Sequence, residues 1–219
     1  MITTSITTFV DIVKTHFGYL EAEYEFEVIF AKNSEIRPQT DGVVKFASAS
    51  TLVIIDSETG QAAVRFVRIQ DDERYYLDPV SIHEYLNTTK QEKEILLSRN
   101  PSDKEAANNI FNKTFLLSLP KWKGSKEDIY ADLEKQLSNY ANRLKENASL
   151  CLLGNFSRWP EFYEYKINRL MADELRRGGK EFVKAIVKDE SGSLKTIERP
   201  IFQREKDHLT RLRKEALGK

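Results

Sequence analysis

VVKFASASTLVIIDSETGQAAVRFVRI, residues 43–69, decides the fold. Val43–Ala47 and Thr51–Ile55 are dense in β-branched and aromatic residues, the types that pack well on a pleated surface. Asp56-Ser57-Glu58-Thr59-Gly60 reads as a hairpin loop, with Gly60 placed to take a positive φ. Ala62–Ile69 is the return strand. Consecutive strands with short connections pair antiparallel, so this block predicts a meander with one face free for helices.

Upstream, Phe26–Lys32 adds a further strand. Glu21, Glu23, Glu25 and Glu27 alternate with Ala22, Tyr24, Phe26 and Val28, and Phe30 continues the apolar row. In an extended chain this pattern sets a row of carboxylates on one face and an apolar row on the other. A helical reading competes for the same residues. Phe9, Ile12, Val13, Phe17 and Leu20 recur at spacings of three and four, and Tyr24 continues that stripe. The helix then reaches about residue 23 and leaves only Glu25 and Glu27 on the strand.

Downstream the pattern turns helical. Asp78-Pro79 caps a helix carrying Ile82, Tyr85 and Leu86. Ser102–Glu105 is a capping box leading into Ile110, Phe111 and Phe115. Ser125 starts the strongest helix, with Ile129, Leu133, Leu137, Tyr140 and Leu144, which Ala148, Cys151 and Leu152 extend to Gly154. Trp159-Pro160 opens another helix, closed by Gly178-Gly179. Phe182–Lys188 and Leu194–Glu198 suit a hairpin around Asp189–Gly192, and the first segment suits a helix equally well. A basic helix follows Pro200. The expected architecture is α+β: an N-terminal helix, an antiparallel meander of about four strands, and a helical C-terminal half packed on the sheet. Residues 1–179 form the expected core domain, and 180–219 a C-terminal appendage of hairpin plus basic helix.

The chain is 219 residues long, 40% hydrophobic and 31% charged, which describes a globular protein able to bury its own core. Net charge is +0, so bulk charge favours neither nucleic acid nor membrane. The charge is unevenly placed. Residues 1–35 hold six carboxylates against Lys14 and Lys32, whereas residues 199–219 hold seven basic residues against three acidic ones. A single cysteine, Cys151, excludes an intramolecular disulfide and reads as a small core hydrophobe. Met1–Ser5 lacks the basic start and apolar run of a secretory signal, and no apolar run spans a bilayer. A cytoplasmic location is the expectation, and four sequons beginning at Asn87, Asn112, Asn147 and Asn155 read as coincidental.

No residue pattern carries known chemistry. His16, His83 and His208 lie on separate helices without metal-ligand spacing, and His16 and His83 read as helix-flank residues. Phosphate-binding glycine loops and a Gly-x-Ser-x-Gly elbow are absent from the sequence. No catalytic residue, metal or cofactor is expected. Trp122 and Trp159 read as core residues rather than partner anchors.

Phe17-Gly18-Tyr19-Leu20, Tyr24-Glu25-Phe26, Tyr76-Leu77 ahead of a helix, and Leu152-Leu153-Gly154-Asn155-Phe156 after a long helix are the landmarks of a resemblance. Over roughly residues 8–160 the sequence resembles a diffuse group of uncharacterised bacterial α+β proteins. Some of them are encoded near toxin or defence genes in the manner of immunity proteins. The group carries glycine where Glu25 stands and aspartate where Asn155 stands. The resemblance implies no catalytic residue.

The leading expectation is therefore a non-enzymatic, protein-binding module of immunity or defence type, acting by surface occlusion. Glu21, Glu23, Glu25 and Glu27 are its candidate contact residues, since an acidic patch speeds docking to a basic surface. The competing reading is a solvated face whose charges are answered by Lys45 or Arg65. Lys206, Arg211, Arg213 and Lys214 are candidates for phosphate contacts in a nucleic-acid-binding accessory, or for docking on the acidic face of a second copy. A hydrolase or nuclease with an unrecognised site is a third alternative.

Overall fold

Thr8 and Asp11 close a reciprocal capping box that starts helix α1 (Phe9–Phe17). After Gly18 the chain continues as α2 (Tyr19–Tyr24). It ends on Glu25, which stands in the left-handed region at φ 57° and ψ 32°. The structure, a computed structural model, describes residues 7–97, 126–176, 182–188 and 194–217. Its contacts fall into two compact units, Met1–Asn87 with Thr114–Phe156 and Thr88–Lys113 with Ser157–Lys219. The fold is α+β, with N-terminal helices, a four-stranded antiparallel meander and a helical C-terminal half.

In the first unit, β1 (Glu27–Asn33), β2 (Gly42–Ala47), β3 (Thr51–Glu58) and β4 (Gln61–Arg68) follow one another in space as in sequence. The β3–β4 turn is tighter than the sequence suggests. Thr59 and Gly60 both have positive φ, 56° and 77°, so two residues suffice and pairing continues to Glu58↔Gln61. Asp56, Ser57 and Glu58 are therefore strand residues, not loop. Val44↔Ile55↔Val64 and Phe46↔Val53↔Phe66 form two fully buried rows on one sheet face. Phe9, Ile12, Val13 and Phe17 of α1 are buried with them. So are Leu133, Leu137, Ala141 and Leu144 of α5 (Lys126–Asn147). Burying each such large side chain stabilises the unit by about 1.5–3 kcal/mol.

Polar bonds fix the register of α5 against the hairpin. The Ala62 N–H donates to Gln136 Oε1 at 3.1 Å, and Gln136 Nε2 donates to the Gly60 carbonyl at 3.3 Å. The long helix stops at Asn147 rather than running to Gly154. A short α6 (Ser149–Leu152) follows, and the buried Thr51 hydroxyl donates to its Cys151 carbonyl at 3.2 Å. Gly154 takes φ 81° at the exit. Helix α3 (Pro79–Asn87) starts as expected on Asp78, whose carboxylate accepts from the Ser81 N–H at 2.7 Å, and it packs on α5.

The second unit contains α4 (Lys90–Leu97), α7 (Trp159–Arg176), the hairpin β5 (Phe182–Lys188) with β6 (Leu194–Pro200), and α8 (Gln203–Ala216). Residues 182–188 thus resolve as strand, paired from Phe182↔Pro200 to Lys188↔Leu194. The basic helix α8 lies on α7, with His208, Leu209 and Leu212 buried and His208 edge-on to Tyr163 at 5.0 Å. The hairpin and α8 fall in one unit with α4 and α7, so the described residues of 1–179 are shared between both units. Trp159 and Cys151 are core residues. The Ser102–Glu105 box, Trp122, Ser125 and Gly178-Gly179 lie outside the described residues.

Candidate functional site

The four glutamates do not form a row. Glu21 and Glu23 sit on α2, Glu25 is its left-handed C-cap, and Glu27 is the first residue of β1. The apolar residues that alternate with them are correspondingly split. Phe26 is buried, whereas Ala22 is exposed. The period-two reading fails because the chain is helical to Tyr24 and then turns at Glu25. All four carboxylates remain exposed at this corner. Glu23 pairs with Lys145, whose ammonium also sits 5.2 Å over the Tyr19 ring. The side chains of Glu21, Glu25 and Glu27 have no ion pair among the described residues. Lys45 and Arg65 do not answer them, because they pair with Glu73 and Asp56 at 2.8 and 2.7 Å.

Among the described residues, nothing pairs with the outer edge of the strand that follows, β1, at one end of the sheet order. At the opposite edge, Phe66 of β4 exchanges both backbone bonds with Leu77, each 2.8 Å. On β1 the Ser34 N–H donates to the Asp41 carbonyl, so the ladder's alternation turns the N–H and C=O of Ala31 and Asn33 outward. Ile29 is the extra residue of a bulge between Val28 and Phe30. Phe30, the last residue of the expected apolar row, is 45% exposed, and Ile29 beside it is 57% exposed. Ile36, in the loop beyond, is 89% exposed on a turn in which Ser34 Oγ accepts from two backbone N–H groups. An edge strand with large apolar side chains and unneutralised carboxylates beside it is suited to pairing with an extended, basic segment.

The basic candidates lie on α8 in the second unit. Arg213 pairs with Glu164 at 2.6 Å, and Arg211 reaches Glu215 at 3.8 Å and His208 Nδ1 at 2.6 Å. Lys206 and Lys214 have no ion pair among the described residues. No group of three His, Cys, Asp or Glu able to hold a metal occurs among the described residues. No described helix is long and apolar enough to cross a membrane.

Sequence reasoning passed over a polar cluster between α3 and α5. His83 and Asn87 lie one helical turn apart, as do Arg143 and Asn147. The Asn87 and Asn147 amides each lie 3.2 Å from His83 Nδ1, and Asn147 also donates to the Arg143 carbonyl at 3.0 Å. Burial, and after it the Arg143 charge, holds the His83 pKa below its ordinary value. Tyr140 is pushed up to about 12, by burial first and then by Asp78. The signal was the pair of i, i+4 polar spacings, which by themselves look like solvated helix faces. No family model matches the chain, and no curated protein and no solved structure matches it.

Proposed function

We propose that this is a non-enzymatic protein-binding module that engages its partner along the α2–β1 corner and the open β1 edge. The observation that carries the reading is the exposure of Ile29 and Phe30 on an edge that no described strand covers, next to Glu21, Glu25 and Glu27. The apolar pair supplies contact area, the outward backbone groups supply register, and the carboxylates select a basic partner and hasten encounter. An immunity-type or defence-associated inhibitor in the cytoplasm, which covers a basic functional surface of its target, fits this chemistry. The nucleic-acid reading has less behind it, because Arg211 and Arg213 are engaged by carboxylates of this chain.

Affinity capture from the native lysate, nuclease-treated, tests the proposal when run with variants. Phe30→Lys and the double change Glu25→Lys with Glu27→Lys should each abolish capture of a stoichiometric protein, while Lys214→Glu leaves it intact. Capture that survives the β1 changes and is lost with Lys214→Glu refutes the edge and moves attention to α8.

A further inference from the structure

Arg143 is 7% exposed, yet it forms no ion pair among the described residues. Its Nη1 is shut off from solvent and has no hydrogen-bond partner among the described residues. A guanidinium cannot shed its proton to escape this environment, so the buried charge persists. An unpaired buried ion is among the more costly features a fold can carry, and a counter-ion is the usual remedy. Glu146 lies near enough on α5 to act on the arginine's charge but does not close to an ion pair. Glu84 of α3 is buried and also bears on His83, without pairing to Arg143.

The neighbouring groups are donors. Two amides occupy His83 Nδ1, which makes that nitrogen the acceptor and places the neutral ring's proton on Nε2. Nothing in the described residues takes that proton. The Tyr140 hydroxyl lies one turn before Arg143 on α5 and keeps its proton at neutral pH. A cation, an imidazole N–H and a phenol on two packed helices of one unit are a donor set for oxygen anions.

We propose that the α3–α5 face built on Arg143 and His83 binds a small oxyanion, the oxygen of a carboxylate or of a phosphate group. The ligand supplies the missing counter-charge to Arg143 and accepts from His83 Nε2. This site is separate from the β1 edge and stands or falls independently of it. Glu146, which acts on Arg143, and Glu84, which acts on His83, limit the charge it accepts, so a small or singly charged group is favoured over an extended polyanion.

His83 reports the event. The charged groups facing it are Arg143 and Glu146 from α5 and Glu84 from its own helix. An anion beside Arg143 cancels part of the field that disfavours the imidazolium, so binding raises the His83 pKa. The ring's carbon-bound proton is followed by NMR between about pH 5 and 8, with His83→Gln assigning the signal. The probes are sodium sulfate and sodium acetate, each against sodium chloride at equal ionic strength. A saturable rise in the His83 pKa with sulfate or acetate, together with a saturable rise in melting temperature, supports the site. Sulfate alone points to a phosphate ligand, and acetate alone to a carboxylate. Arg143→Gln should weaken the effect at least about tenfold, with Arg143→Lys intermediate. If neither salt exceeds chloride on the unaltered protein, the proposal is overturned, whatever the variants do. The same holds if the response persists undiminished in folded Arg143→Gln.

Discussion

Replacing Glu25 with glycine should stabilise the first unit, although it removes a side chain and adds chain entropy. Glu25 caps α2 with φ 57° and ψ 32°. A residue with a Cβ spends about 1–2 kcal/mol to stand in this region, because the Cβ crowds its own carbonyl. Glycine escapes that cost but loses about 0.4–1 kcal/mol through the greater freedom of the unfolded chain. The difference leaves a net gain of about 0.5–1 kcal/mol. Alanine is the control. It removes the same carboxylate, including its repulsion with Glu21 and Glu27, but keeps the left-handed strain. The glycine variant should therefore exceed the alanine variant by that margin. Because the chain has two units, hydrogen exchange at core amides of the first unit is the assay. Val44 and Val53 should exchange about 2–5-fold more slowly in the glycine variant than in the alanine variant. Equal protection, or lower protection with glycine, would refute the claim that backbone strain at the α2–β1 corner is a cost to the unit.

Three further outcomes are expected. Gly60→Ala should cost at least about 1–2 kcal/mol, read as a lower melting temperature, because φ is 77° and the new methyl would press on Ile129 Cγ2. Thr8→Ala should cost about 1 kcal/mol in urea denaturation through loss of the α1 cap. The capping box also holds Asp11 below the usual carboxylate range, through the Thr8 N–H first, which alanine keeps, and the Thr8 hydroxyl next, which alanine removes. That contribution is present above the unfolded value of about 3.9 and fades as pH falls through the folded one. For His83, whose folded pKa is depressed, the unfolded chain takes up the proton first as pH falls. Stability present above about pH 6.5 is therefore lost toward the folded value, and His83→Gln should flatten this part of the stability–pH curve.

The meander was legible because β2, β3 and β4 carry dense β-branched and aromatic runs, with one face buried throughout at Val44, Phe46, Val53, Ile55, Val64 and Phe66 and the other buried in part at Ile54 and Val67. The α1 stripe of Phe9, Ile12, Val13 and Phe17 was legible for the same reason at helical period. The carboxylate row misled because Glu21–Glu27 alternate in sequence whatever the backbone does, and the backbone there is helix, left-handed turn and strand in succession. Helix α4 announced itself by a capping box, Thr89 with Glu92, of the kind recognised elsewhere in the chain, and was passed over between stronger signals. Arg143 was invisible for a physical reason. An arginine on an amphipathic helix reads as solvated until the packing of α3 closes over it, and that packing is a long-range fact.

The two units are interleaved along the chain, each assembled from a segment before and a segment after part of the other. During synthesis the meander leaves the ribosome well before α5, whose Leu133, Leu137 and Leu144 complete its core. The nascent sheet therefore waits with Val44, Phe46 and Val53 incompletely covered, a state in which it is open to chaperones and to self-association. The second unit likewise starts before, and finishes after, the first unit's last segment. Neither unit can be cut out as one continuous fragment, so a truncation meant to isolate either will remove part of its core, and the two are best dissected by point substitution.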